Sequence, residues 1–254
     1  MTLTRVGLQR DPRHRYRWND GPWCPGTTGI MNAAIAKPGL KYWAARVTAD
    51  AAVRNLGLLE QMVATGGPDA ATNFVKTIPD FQRDQAAALG SRVHTLAEAI
   101  SRSIQVEVSP DEAPFIDAYM KWRFQTQPEF LNVEFMVFSQ KHSYGGTADA
   151  VIRFKGSDDI WLVDYKTGKG AYPETGIQLA AYRWADWAGR TDDPKRYKIP
   201  PATRFGVLHV RPEGAELIPY SVTDAEFSAF LACRQLHGWL EERAPVIKPM
   251  REAA

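Results

Sequence analysis

The chain has only two cysteines among its 254 residues, Cys24 and Cys233. They lie far apart and no other metal-ligating residues flank them. That excludes a disulfide framework and leaves two free or buried thiols as the expectation. Long apolar runs are also lacking, so no membrane span is expected. The N-terminus lacks the pattern of a secretory signal, and a cytoplasmic location follows as the expectation. Net charge is only +2, which argues neither for nor against a polyanionic partner. There is no internal repeat and no low-complexity tract. What remains is enough apolar sequence to bury the core of one sizeable domain.

Two segments carry chemistry. Gly145-Gly146-Thr147-Ala148-Asp149-Ala150-Val151-Ile152 and Ile160-Trp161-Leu162-Val163-Asp164-Tyr165-Lys166-Thr167-Gly168 each read as a β-strand. Residues i and i+2 of a strand share a face, so Asp164 and Lys166 point the same way. A turn at Lys155-Gly156-Ser157-Asp158-Asp159 would lay the strands side by side and bring Asp149 towards Asp164. Two carboxylates and an ammonium on one sheet surface suit a hard divalent cation, which takes oxygen ligands and keeps several waters. Such a cation can polarise a phosphate and activate a water. An ordinary surface Asp–Lys pair is the alternative reading of the triplet taken alone. A third segment, Gln178-Leu179-Ala180-Ala181-Tyr182, places an amide and a phenol four residues apart on one helix face.

In the order and spacing of these three blocks the chain resembles the RecB-like branch of the PD-(D/E)xK nuclease superfamily. The resemblance implies an α/β fold with a restriction-endonuclease-like αβββαβ core, a central mixed sheet flanked by helices. It implies DNA cleavage with Mg²⁺ or Mn²⁺. By it, Asp149 and Asp164 are metal ligands, the Tyr165 carbonyl is a further ligand and Lys166 is the catalytic lysine. Gln178 and Tyr182 would stand beside the site and contact DNA or the lysine. Family members also place a histidine on an upstream helix, and His94 supplies it as a metal ligand. Glu134, in Asn132-Val133-Glu134-Phe135-Met136, matches a glutamate often found near the site, and reads equally as an exposed strand residue. Glu98, one helical turn beyond His94, reads as a solvated or ion-paired residue. Some relatives bind an iron–sulfur cluster through four cysteines; two cannot do so within one chain, so no iron–sulfur cluster is expected.

Residues 1–46 carry eight Arg or Lys against Asp11 and Asp20. The run Arg10-Asp-Pro-Arg-His-Arg-Tyr-Arg-Trp18 interleaves arginines, Arg13, Arg15 and Arg17 among them, with aromatics, a pattern that can neutralise phosphates and stack on bases. These arginines are candidate DNA contacts; a solvated arm is the alternative. The expected division is a basic arm and helical extension over 1–80 and a nuclease core over 81–254. Trp23-Cys24-Pro25-Gly26-Thr27-Thr28-Gly29-Ile30 partly matches a Pro-x-x-Thr-Thr-Ile segment of RecB-like phage nucleases, with Thr28 as a helix cap.

Helices are expected over 39–64, 69–76, from Pro79 through His94, from Pro110 to 125, over 174–188 and from Asp224 to 242. Strands are expected near 131–139, 144–155, 160–166 and 204–210. The helix carrying His94 should bury Leu89, Val93, Leu96, Ile100 and Ile104, with small residues on the line of His94. The segment 190–201 reads as a long basic loop. The expected activity is a metal-dependent DNA exonuclease acting on single-stranded or duplex ends in a bacterial or phage-infected cell. A recombination or replication protein is the expected partner. A non-catalytic DNA-binding subunit of a helicase–nuclease complex is the alternative, and an RNA substrate a weaker one.

Overall fold

A computed structural model of the protein describes residues 6–244. Within it, Ala36–Val93 form one compact unit, and the described residues up to Ile35 and from His94 form the other. The division differs from the expected boundary at 80/81, and the N-terminal arm falls in the same unit as the sheet.

The unit Ala36–Val93 is helical. It comprises α2 (Pro38–Arg54) and most of α3 (Leu56–Ser101). The expected helix over 39–64 is interrupted earlier, at Asn55, whose backbone leaves the helical region. Within α3, Gly67 alone is non-helical, at φ 78 and ψ 174, a conformation natural to glycine. The helical run continues through Pro79, where a helix start had been expected.

The other unit is α/β. A seven-stranded mixed sheet has the order β7-β6-β3-β4-β5-β8-β9. Its strands are β3 (Glu129–Ser139), β4 (Tyr144–Arg153), β5 (Ile160–Lys166), β6 (Trp187–Arg190), β7 (Asp193–Tyr197), β8 (Arg204–Arg211) and β9 (Gly214–Tyr220). Only β5 and β8 run parallel; the other neighbours are antiparallel. The turn after Arg153 makes β4 and β5 a hairpin, as the glycine and aspartates there suggested, with Arg153 opposite Ile160.

Helices cover both faces. On one, α1 (Thr27–Ala34), α5 (Glu174–Arg183) and α6 (Asp224–Glu242) bury Ile30, Leu179, Ala181 and Phe230 against Val137, Ala148, Val151 and Leu162. On the other, the end of α3 and α4 (Ala113–Thr126) bury Ala97, Tyr119 and Trp122 against Ala150, Ile152, Val163 and Leu208. Each large side chain so buried contributes roughly 1.5–3 kcal/mol. The line of α3 that meets the sheet is the small-residue line, Ala97 and Ser101, with the Ser101 hydroxyl 2.5 Å from the Tyr119 hydroxyl. Ile104, expected in the buried stripe, lies beyond the helix end and is exposed.

The N-terminal arm is a small hairpin, β1 (Leu8–Arg10) paired with β2 (Tyr16–Trp18). Leu8 and Tyr16 are buried with Phe138 and Trp187.

Several expected boundaries move for physical reasons. Gly26, not Thr28, caps α1, and no side chain caps it. Thr27 instead donates its hydroxyl to the Gly145 carbonyl at 3.0 Å, tying α1 to β4. Helix α4 starts at Ala113, after Pro110, and β4 ends at Arg153. Helix α5 stops at Arg183; Trp187 and Ala188, read as its continuation, pair with Phe138 and Val137 as strand β6. The supposed loop 190–201 contains β7, and β9 had no counterpart in the sequence reading. Thr223, not Asp224, caps α6, in a reciprocal capping box with Glu226. No helix among the described residues is long and apolar enough to cross a membrane.

Candidate active site

The β4–β5 ladder ends at Ala150 opposite Val163. Asp149 lies just past this last pair, where it feels the charge of Asp164. Here a side chain takes over from the main chain: the Tyr165 amide donates to Asp149 Oδ2 at 2.6 Å. The two strands are thus joined by the carboxylate itself where the ladder stops.

Asp164 is 2 % exposed and needs compensation for its charge. Lys166, two residues along on the same face, supplies it as an ion pair with Asp164 Oδ2. Gln178 on α5 donates to Asp164 Oδ1 at 2.9 Å and to the Tyr182 hydroxyl at 2.6 Å. Its own oxygen accepts from Lys166 Nζ at 3.4 Å. The i,i+4 spacing on α5 places Gln178 and Tyr182 together, so one amide joins aspartate, lysine and phenol. Glycine at 146 makes room for this chain. A Cβ there would lie 2.5 Å from Tyr182 Cε1 and 2.8 Å from Thr27 Oγ1.

His94, in the last turns of α3, sets Nδ1 at 3.7 Å from Asp149 Oδ2. Its ring meets the Tyr165 ring edge to face, with centroids 5.9 Å apart. The site is therefore assembled from α3, β4, β5 and α5 within one compact unit.

The electrostatics follow from crowding. Burial, and then the charge of Asp164, push the Asp149 carboxyl up to about 6; His94, Lys166 and the Tyr165 amide pull the other way. Burial pulls the Lys166 ammonium down, but Asp164 and Asp149 outweigh it and hold it above the usual lysine range. Burial and the charge of Asp164 keep the Tyr182 phenol protonated. Lys166 pairs with Asp164 and acts on Asp149 only through its charge, and Asp149 carries a destabilised charge that a cation would relieve.

The donor set suits a hard divalent cation. Asp149 and Asp164 offer carboxylate oxygens, Tyr165 a main-chain carbonyl and His94 an imidazole. Among the described residues no three of His, Cys, Asp and Glu are placed to enclose a cation by themselves. A cation here would complete its shell with main chain and water, the habit of Mg²⁺.

Glu134 belongs to the neighbouring strand. The pairs Val133–Ala150 and Phe135–Ala148 leave it opposite Asp149, and its φ of 43 interrupts the regular strand. Its carboxylate accepts from Arg10 Nη1 at 3.4 Å. Arg13, Arg15 and Arg17 are placed differently. Arg15 pairs with Asp11 at 2.8 Å, and Arg17 donates to Gln9 at 3.0 Å. The Arg15 and Arg17 guanidiniums lie over the Trp23 ring, at 5.5 and 4.6 Å. The Arg13 amide donates to Asp11. None of these bonds reaches the aspartates of the site; the arm residues that reach this wall are Arg10 and Tyr16, both bonded to Thr147. Both belong to the basic run Arg10–Trp18, but their contacts with Thr147 span more than a hundred residues and carry no sequence signal. Thr147 itself carried a signal, two residues before Asp149 on the same strand. No protein-family model and no curated protein matches the sequence.

Proposed function

We propose that the chain is a Mg²⁺- or Mn²⁺-dependent deoxyribonuclease, an exonuclease of the RecB-like PD-(D/E)xK type. The reading takes the run from the end of α3 through β3, β4, β5, α5 and β8 as a restriction-endonuclease-like αβββαβ core, with α4 inserted. The observation that carries it is Asp149 bonded to the Tyr165 amide beside Asp164, with Lys166, Gln178 and Tyr182 bonded in a chain behind Asp164.

Asp149, Asp164, the Tyr165 carbonyl and His94 would hold the cation. When bound, it supplies Lewis-acid polarisation of the scissile phosphate and a more acidic water. Lys166, held protonated, contributes a positive charge beside the developing negative charge of the transition state. Gln178 fixes the lysine and Asp164, and Tyr182 fixes Gln178. DNA ends are the proposed substrate, in recombination, replication or repair.

The test is digestion of end-labelled single-stranded, linear duplex and closed circular DNA in Mg²⁺, in Mn²⁺ and in EDTA, beside Lys166→Ala. Metal-dependent loss of the linear substrates, absent in the variant, is the expected result. Cutting of the circle would make the enzyme an endonuclease. Binding without cleavage under any metal would favour a non-catalytic DNA-binding subunit.

A further inference from the structure

We infer that Arg10 is a phosphate-binding residue for the DNA strand at this site, and that Glu134 is the carboxylate that occupies it when DNA is absent. This rests on the nuclease reading and adds to it the residue that engages the substrate backbone.

Arg10 ends β1 and lies opposite Tyr16 in the N-terminal hairpin. The hairpin is anchored by Leu8 and Tyr16, both buried. The Tyr16 hydroxyl lies 2.9 Å from Thr147 Oγ1, and Arg10 Nη1 donates to the same oxygen at 3.3 Å. Thr147 lies two residues before Asp149 on β4. The guanidinium is thereby fixed beside the strand that carries a proposed metal ligand, on a scaffold whose register is set.

Its carboxylate partner is loosely held. The Arg10–Glu134 contact is 3.4 Å and uses Nη1, the nitrogen that also reaches Thr147. Both side chains are about a third exposed, at 38 % and 33 %. A bidentate guanidinium–carboxylate pair is shorter and stronger than this. Glu134 has a second carboxyl beside it. Its carboxyl shares a hydrogen bond with that of Glu98, whose own pKa is pushed up to about 7 by burial first and then by Glu134. Arg102 pairs with Glu98 at 3.0 Å and donates to the Val133 carbonyl at 2.9 Å, so it is committed elsewhere. Arg10 therefore faces one weakly engaged carboxylate in a crowded acidic wall. A phosphodiester offers the same single negative charge on two oxygens, which can engage the guanidinium fork in the bidentate way that Glu134 does not. Displacing Glu134 would leave it its hydrogen bond to Glu98.

The two residues have opposite effects on DNA binding, and that is the test. Anisotropy of a fluorescein-labelled oligonucleotide, in EDTA to prevent cleavage, is measured over a series of salt concentrations. Arg10→Ala should weaken binding by about tenfold and lower the slope of log affinity against log salt by about 0.7–0.9, the loss of one phosphate contact. Arg10→Lys should keep most of the slope. Glu134→Gln, which retains shape and removes charge, should tighten binding by about threefold. An unchanged slope in Arg10→Ala overturns the inference while leaving the nuclease reading in place. Weaker binding by Glu134→Gln, in parallel with Arg10→Ala, overturns it too and makes the pair a structural tie. If the wild-type chain shows no salt-dependent DNA binding, both the inference and the nuclease reading fall.

Discussion

The Tyr165 amide donates to Asp149 Oδ2 at 2.6 Å, at the point where the β4–β5 ladder ends. This bond holds Asp149 against the strand that carries Asp164 and Lys166. It also limits what Asp149 can lose: an asparagine keeps an acceptor for the amide while shedding the charge.

Asp149→Asn should therefore stabilise the metal-free protein at pH 7.5. The native carboxyl is shifted from its ordinary 3.8 up to about 6, so its ionisation in the folded state is disfavoured. The shift corresponds to about 3 kcal/mol, or several degrees in Tm. Thermal unfolding in EDTA checks this; a Tm below wild type would show that the charge is well compensated.

The same shift sets a pH dependence. A raised carboxyl contributes stability below its unfolded pKa and loses it as pH rises through the folded one. Metal-free wild type should thus lose stability between its ordinary 3.8 and about 6. Stabilisation by Mn²⁺ should run the other way, small at pH 5 and large at pH 7.5, because the cation competes with the Asp149 proton. Melting curves with and without Mn²⁺ across this range test it. A Mn²⁺ effect independent of pH would remove Asp149 from the ligand set.

Gly146→Ala should damage stability and activity together. The new Cβ would fall 2.5 Å from Tyr182 Cε1 and 2.8 Å from Thr27 Oγ1, both in the packed interior. Overpacking of this kind costs about 1–3 kcal/mol. Displacement of Tyr182 would also disturb Gln178. Denaturant unfolding and a cleavage assay together check the prediction, and a variant with native stability and full activity would contradict it.

Tyr182→Phe should be milder. Gln178 Nε2 loses the phenol at 2.6 Å but keeps Asp164 at 2.9 Å. Stability should fall by about 1 kcal/mol. The cleavage rate should fall by about tenfold, equivalent to about 1.4 kcal/mol in the barrier. A larger loss, matching that of Lys166→Ala, would mean that the phenol contacts substrate directly.

The sequence disclosed the parts of the site that rest on short-range periodicity. Asp164 and Lys166 share a face because strands repeat every two residues, and Gln178 and Tyr182 because helices repeat every three to four. Asp149 was legible from the hairpin turn that sets its register. Arg10 was legible as part of a basic run but not as a neighbour of the site, since its partners Glu134 and Thr147 lie 124 and 137 residues away. Trp187 and Ala188 continued the helical pattern of α5, yet tertiary pairing with β3 made them a strand. Gly214–Tyr220 interrupts its apolar residues with Glu216 and Pro219 and opens on glycine, so β9 gave no strand signal before β8 offered it an edge. The small-residue line of α3 was read as allowing close approach to the sheet, and Ala97 and Ser101 do pack there.

The central claim is that Asp149 and Asp164 hold a divalent cation for phosphodiester cleavage. The most direct measurement compares cleavage of end-labelled linear DNA by wild type and Asp149→Ala in Mg²⁺. The account predicts robust cleavage by wild type, none in EDTA and none by the variant, with DNA binding by the variant largely retained. Near-normal cleavage by Asp149→Ala in Mg²⁺ would contradict it.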